Sequence, residues 1–512
     1  MKDRYYIGVD CGSTMVKAAI FDADGKEWGV SSRKVQHIYL HPDWTENDAE
    51  KLFENVCEVI RNVLKSSGID PAKIVSIACC GHGNGVYLTD AEGNPTRNGV
   101  ISSDGRARKY IEQWTNENVL DKIRAKTMQA IWPAQPNALL RWFAEYEPDV
   151  LARTKWMFAC KDYIRFRLTG EAFMERTDMS GTSLIDVGTG EYDDEVLAAW
   201  GLTDLRNIMP PLKNSADICG KITEQVAAKT DLMPGTPVAG GMFDIDACGL
   251  AVGMVDETQL CLIAGTWGNN QYISKTPVVS SDVFMTSCFS KPGYYLMLEG
   301  SATSASNLEW MVSQFFESDK ELLLQKGEIS DTKNIYAHCV ELVGQSKPED
   351  TGIIFLPFLY GCPTSLDGKA CLFGIDGRHT RSQVLRAVLE GIVFGHYWHV
   401  KRLLKFRDKP QTLQLTGGAT NSEVWSQMFA DIFQTTVEIP AGTELGCFGA
   451  AICAAVAVSD FGSWDEAVKT MVKIDRVYKP DPNLAELYRT KYERYEKLLE
   501  TLQPVWGELA WK

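Results

Sequence analysis

Apolar and polar positions along the first 22 residues alternate, stop and resume, and that rhythm predicts strand, tight turn, strand. Tyr5, Ile7 and Val9 lie two apart with smaller residues between them, the period of a half-buried strand. Asp10-Cys11-Gly12-Ser13-Thr14 breaks the run with small and polar residues. Residues 16–21 are apolar again, and Asp22-Ala23-Asp24-Gly25 signals a turn into a third strand. Helical spacing follows over residues 47–66. There Leu52, Val56, Val59, Ile60 and Val63 share one face and Asn47 stands at the capping position. Residues 74–80 form a continuous apolar strand running into Gly81-His82-Gly83-Asn84-Gly85. Val100-Ile101 leads into the polar loop Ser102-Ser103-Asp104-Gly105-Arg106-Ala107, which opens a helix. Further helical patterns cover 138–146 and 161–168. Strands alternating with helices predict an α/β fold with a mainly parallel sheet.

The pattern restarts near Pro234-Gly235-Thr236-Pro237. A strand over 238–244 precedes a small-residue helix at 247–252. A strand over 259–263 then runs into Ala264-Gly265-Thr266-Trp267-Gly268 and a second strand through Ile273. This strand, Gly/Thr turn, strand echoes the opening stretch in layout, and predicts two halves of similar fold, each offering a glycine-rich turn to one ligand. Helices are expected at 301–316 and 380–406, with a strand at 353–359 between them. A strand at 413–416 runs into Gly417-Gly418-Ala419-Thr420-Asn421. Asp481 and Pro482 open a closing helix whose charged run, 489–497, reads as a solvated face.

Composition narrows the class. The chain has 512 residues, 45% hydrophobic and 23% charged, with room for several domains. A net charge of −15 argues against nucleic-acid binding. No apolar run approaches the ~18 residues of a membrane span, and the start lacks a signal-peptide core. The 14 cysteines hold no C-x-x-C pair and sit in apolar surroundings. They read as buried thiols of a reducing, cytoplasmic setting.

The chemistry lies in the glycine turns. Gly12 lets backbone approach a ligand, and the turn's N–H groups with the Ser13 and Thr14 hydroxyls can face a phosphate. Asp10 can hold Mg²⁺ through water, and Lys17 can add positive charge. An ordinary hairpin with a polar turn fits the same residues equally. A Walker-type site is excluded, since the Gly-Lys pairs are followed by Glu27, Ile222 and Ala370. A strand-end carboxylate after Gly240-Gly241 is a plausible base for phosphoryl transfer to an alcohol, because that reaction needs mainly positioning and one late proton acceptor. Asp244 is favoured over Asp246, which suits a first-turn dipole partner.

Taken in order, GVDCGSTMVKA (8–18), SSDGRA (102–107), LLRWFAEYEPD (139–149), KDYIRFRLTGE (161–171), GGMFDIDACG (240–249), GTW (265–267), LTGGATNSEVWSQMFAD (415–431) and GCFGAA (446–451) resemble the FGGY family of carbohydrate kinases, nearly end to end. The resemblance implies two actin-like, ribonuclease H-like domains with a central cleft, divided as 1–253 and 254–512. It implies ATP and Mg²⁺ as cofactors, a small sugar as substrate, and a homodimer as an assembly state common in the family. Position by position, Asp10 resembles the metal-facing Asp. Gly12, Ser13, Thr14 and Lys17 resemble the first phosphate turn. Gly265 and Thr266 resemble the second, and Gly417, Gly418 and Asn421 the adenosine site. Asp244 resembles the catalytic base. His82, Asn84, Asp104 and Arg106 fall where the family holds sugar hydroxyls, although members often carry other residues at 82 and 84. SATSASNLEW (301–310), FLPFLYG (355–361) and LEGIVFGHYWHV (389–400) are similar to the branch acting on L-xylulose. D-xylulose, another polyol or 3-keto-L-gulonate are alternatives within the class. An ATP-driven switch of the actin or chaperone kind is the alternative outside it. Asp104 also suits a helix cap, His82 a satisfied loop histidine, and His396 and His399 the core.

Overall fold

The computed structural model describes residues 3–329, 333–365 and 367–509. It falls into two compact units. One comprises Met1–Val255, Ile273–Met297 and Ala441–Lys473; the other comprises Asp256–Tyr272, Leu298–Pro440 and Ile474–Lys512. These units interleave along the chain, where the sequence reading divides it once, after residue 253.

The first unit is built on the predicted opening hairpin. Strands β1 (Tyr5–Cys11), β2 (Met15–Asp22) and β3 (Glu27–Lys34) pair antiparallel in succession. β1 also pairs in parallel with β4 (Ile74–Gly81), the continuous apolar run. Beyond β4 come β5 (Ile218–Lys221) and β6 (Pro237–Ala239), in the order β5-β6-β4-β1-β2-β3. The strand expected over 238–244 is interrupted at Gly240-Gly241. Its second piece, β7 (Met242–Phe243), returns to pair with the end of β4.

Helix α1 (Ala49–Ser67) covers this sheet with the expected apolar face, and Gly68 in a left-handed conformation ends it. Its cap is Asp48, which accepts a hydrogen bond from Lys51 N. Asn47 instead ends a short strand and donates Nδ2 to the Tyr87 hydroxyl at 2.9 Å. Later helices of this unit are α2 (Cys160–Thr169), α3 (Arg176–Ser180) and α4 (Asp244–Ala251).

The second unit repeats the scheme. β8 (Gln259–Ala264) pairs antiparallel with β9 (Gly268–Ser274) and parallel with β10 (Thr412–Gly417). β10 pairs parallel with β11 (Thr436–Pro440), which pairs antiparallel with β12 (Ile474–Tyr478). The order β9-β8-β10-β11-β12 carries the same pairing senses as β2-β1-β4-β6-β5, so the echo heard in the sequence is one of topology.

The helix expected from Ser301 starts later, as α5 (Ser306–Phe315), because a strand runs through Ser301. The helices α6 (Arg381–Leu403) and α7 (Glu423–Phe433) follow, and Thr380 with Gln383 forms a capping box on α6. The C-terminal charged run is only partly solvated. Lys491 is buried and donates to Glu390 Oε2 at 2.7 Å, since Tyr488, Tyr492 and Tyr495 of the same helix turn that face inward.

The reason for the interleaving is α8 (Leu445–Ala457), whose residues are small and apolar. It packs so closely on β1 that a Cβ at Gly8 would lie 1.7 Å from Cys447 O. Among the described residues all 14 cysteines are free thiols, mostly buried. No described helix is long and apolar enough to cross a membrane.

Candidate functional site

The first turn, Gly12-Ser13-Thr14, is pinned from both sides. Val35 N donates to Thr14 O at 2.8 Å, and His82 N donates to Cys11 O at 3.2 Å. Thr14 is exposed and Gly12 and Ser13 are half-buried, so the turn reaches solvent. Asp10, the last residue but one of β1, is half-buried against the first turn of α8. A Cβ at Gly446 would sit 2.5 Å from its Oδ2, so only glycine leaves room there. No side chain caps α8, whose free N–H groups favour an anion at that end. Burial pushes the Asp10 carboxyl up to about 6; Lys17 opposes this, and Glu444 adds to it. Lys17 itself is paired, with Nζ 2.7 Å from Glu444 Oε2.

Asp244 is the first residue of α4, directly after β7, and is half-buried. Its carboxyl is pushed up to about 7 by burial and by the charge of Asp10, against the pull of His82 and the Ile245 N–H. That places it where a general base works best. Asp246 has the opposite character. It is fully buried, and its Oδ1 accepts from Ser290 N at 2.9 Å and Ser290 Oγ at 3.1 Å. Burial raises its pKa well above the ordinary carboxylate range, so it tethers α4.

A polar cluster forms around the 82–87 loop. The Tyr87 hydroxyl links Asn47 to His82 Nε2, the latter at 3.4 Å. Burial opposes charge on His82, but the Cys160 sulfur and the Asp244 carboxylate outweigh it and push the imidazole up to about 9. Asn84, at φ +64°, keeps a buried Oδ1 with no hydrogen-bond partner.

Asp104 differs from expectation. Its oxygens accept from Thr45 N at 2.7 Å, Arg106 N at 2.9 Å, Arg106 Nε at 2.8 Å and Arg106 Nη2 at 2.9 Å. These four bonds occupy its acceptor positions within the protein, so Asp104 holds Arg106 in place. It does not cap the following helix either, which has no side-chain cap. Arg106 lies 4.5 and 5.1 Å from the ring centres of Trp44 and Trp142 and shares Glu46 with Arg97. Its buried Nη1 has no partner. Buried polar atoms are nearly always paired, so Asn84 Oδ1 and Arg106 Nη1 are groups left open to a further partner.

In the second unit, Thr266 and Trp267 stand exposed at the β8–β9 turn, with Gly265 half-buried beside them. Ala305 N donates to Gly265 O at 2.9 Å and Ser306 Oγ donates to Thr266 O at 3.0 Å, which fixes that turn. Below it His396 bonds Asn270 Oδ1 at 2.8 Å and Ser304 Oγ at 2.9 Å. Burial pushes its imidazole down to about 3, so it holds the turn as a neutral ring. Gly417 ends β10 at φ +93°, where a Cβ would meet Ala264 O at 2.5 Å. Gly418 and Asn421 follow in a single 3₁₀ turn, both exposed.

For a divalent cation the first unit offers Asp10, with Asp244 sharing its field. Asp10 is a carboxylate raised by burial whose neighbouring ammonium is already paired to Glu444, a hard-oxygen donor short of positive charge, which fits Mg²⁺. No group of three or more His, Cys, Asp or Glu able to hold a metal occurs among the described residues. Mg²⁺ would therefore draw its remaining ligands from water and substrate phosphates, its usual habit.

Sequence reasoning missed Glu46, Asn47, Glu444 and Gly446. GCFGAA carried the last as a motif, yet nothing local shows that Gly446 must clear Asp10.

Family models described as the N-terminal and C-terminal domains of the FGGY family of carbohydrate kinases match residues 5–251 and 260–458. The chain is 34% identical over 502 residues to the L-xylulose/3-keto-L-gulonate kinase of Escherichia coli (strain K12), covering 98% of this chain and 97% of that protein. It is 33% identical to a probable L-xylulose kinase of Pasteurella multocida (strain Pm70), covering 98% and 99%. The crystal structure of xylulose kinase from Rhodospirillum rubrum superposes with a TM-score of 0.87 at 26% identity, over 98% of this chain and 100% of that one.

Proposed function

Because the chain belongs to the FGGY family of carbohydrate kinases and is an enzyme that phosphorylates a sugar, we propose that it transfers the γ-phosphate of ATP to the terminal hydroxyl of a small ketose, L-xylulose first. The observation that carries the reaction is Asp244, half-buried at the start of α4 with a carboxyl poised near neutrality. In this reading the sugar hydroxyl attacks the γ-phosphorus, the bond to the ADP oxygen breaks, and the hydroxyl proton passes late to an Asp244 oxygen. The backbone N–H groups and hydroxyls of Gly12, Ser13 and Thr14 hold phosphate oxygens. Gly265 and Thr266 hold phosphate, and Gly417, Gly418 and Asn421 hold adenosine. Asp10 holds Mg²⁺, which when bound neutralises phosphate charge. Asn84 Oδ1, His82 and Arg106 Nη1 meet sugar hydroxyls, with Asp104 behind Arg106. Fourteen free thiols suit a cytoplasmic setting.

The choice of L-xylulose rests on the names of the two relatives above. 3-Keto-L-gulonate is the second reading, because the Escherichia coli kinase is named for both. Coupled ADP release from MgATP over a panel of L-xylulose, D-xylulose, 3-keto-L-gulonate, ribulose and glycerol tests both. L-xylulose is expected to give the highest kcat/KM. A larger value for any other member overturns the substrate.

A further inference from the structure

We propose that Thr177 is a positioning residue for phosphoryl transfer, holding the peptide from which Asp244 projects; this rests on Asp244 being the base. The argument begins at Glu175, which is fully buried. Its Oε1 accepts from Ser215 Oγ at 2.7 Å and from Thr177 N at 3.0 Å. Its Oε2 accepts from Thr177 Oγ1 at 2.7 Å and lies 3.4 Å from Lys161 Nζ. The Thr177 hydroxyl spends its single proton on Glu175 Oε2, which takes no other hydroxyl. Its lone pairs then face away and can only accept. They take the N–H of Phe243 at 2.9 Å.

Phe243 is the cap residue of α4, and Asp244 is its first helical residue. No side chain of the helix's own neighbourhood in sequence caps it, so the entry peptide of α4 is oriented from α3, 66 residues earlier. Asp246, one half-turn on, is held by Ser290. These three bonds hold the first turn of α4 at Phe243 and at Asp246, and the carboxylate between them inherits its aim. Thr177 is 1% exposed, so water does not compete for the Phe243 N–H. The relay from Ser215 through Glu175 and Thr177 to Phe243 leaves each hydrogen with one possible acceptor, which is how a chain of bonds sets direction. Thr177 touches neither sugar nor nucleotide in this reading. Its contribution is to the geometry of the proton acceptor, where misplacement by about 1 Å costs on the order of 10²-fold in rate.

Steady-state kinetics of the full chain with MgATP and L-xylulose test this, on Thr177→Val, Thr177→Ser and Asp244→Asn. Thr177→Val keeps shape and removes the acceptor. It is expected to lower kcat about 10–100-fold while KM for sugar and for ATP each stay within about threefold. Thr177→Ser keeps the hydroxyl and is expected to stay within about threefold of wild-type kcat. If Thr177→Val does not yield folded protein, Thr177→Ala is measured in its place under the same expectations. A kcat unchanged in Thr177→Val (or Thr177→Ala), or a serine variant as impaired as the valine one, overturns the proposal. The two readings fail separately. If Asp244→Asn is crippled while Thr177→Val is normal, only the positioning role falls. If Asp244→Asn turns over like wild type, the base assignment falls and takes the positioning role with it.

Discussion

Replacing Asp244 by asparagine should cost activity and return stability, and the second effect should depend on pH in one direction only. The carboxyl is pushed up to about 7, first by burial and then by Asp10. Against an ordinary carboxylate value of about 3.9, full ionisation in the folded state costs about 4 kcal/mol, at about 1.4 kcal/mol per tenfold. Part of the side chain reaches solvent, which screens the effect to about 1–3 kcal/mol. Between the two values the folded protein holds a proton that the unfolded chain has lost, so stability falls as pH rises through this window. The loss is complete above about 7. Asparagine does not titrate. The Asp244→Asn variant should therefore match wild type in stability near pH 4 and exceed it by pH 8, the gain opening between them. Its kcat should fall about 10²–10⁴-fold, the usual worth of a positioned base. Thermal unfolding of both proteins without nucleotide, from pH 4 to 8.5, reads the first effect, and coupled ADP release reads the second. A stability gain equal at pH 5 and pH 8, or none at either, would refute the argument that burial and Asp10 load this carboxylate.

The remaining expectations are briefer. The wild-type kcat/KM should rise with pH through an acid limb near 7, since Asp244 accepts a proton only when ionised; a flat profile from pH 5.5 to 8 counts against it. Asp10→Ala should remove Mg²⁺-dependent turnover at all Mg²⁺ concentrations, read by coupled ADP release; wild-type-like turnover would remove Asp10 from the metal site. Asp104→Ala should destabilise the protein by about 1–3 kcal/mol, because the buried Arg106 guanidinium loses its Asp104 bonds while keeping Glu46; chemical denaturation checks this, and a near-neutral change would count against Asp104 as the support of Arg106. Thr266→Ala, at an exposed turn, should leave stability within about 0.5 kcal/mol yet lower kcat/KM for ATP at least several-fold; equal turnover would remove Thr266 from the nucleotide site.

What the amino-acid order determined by itself was the set of elements whose causes are local. The β1–β2 hairpin, β4 and the β8–β9 echo follow from alternating or continuous apolar runs broken by glycine and small polar residues. α1 follows from a helical stripe, although its cap moved one residue to Asp48 because Asn47 was claimed by a strand and by Tyr87. The glycine turns and the place of Asp244 just after a strand were legible because glycine and small polar residues break apolar runs at strand ends. Only tertiary structure decided how those residues are used. In sequence Asp104 reads as a sugar contact or a helix cap and Asp246 as a first-turn dipole partner. One is enclosed by Arg106 and Thr45, the other by Ser290, partners up to 59 residues away that no local pattern discloses. Lys17, read as adding positive charge to the first turn, is paired to Glu444, 427 residues on. The same long-range packing brings α8 back onto β1, seats Gly446 against Asp10 and raises both Asp10 and Asp244. Charge burial depends on everything within several ångströms, whereas periodicity depends only on neighbours along the chain, and that is where the reach of the sequence ended.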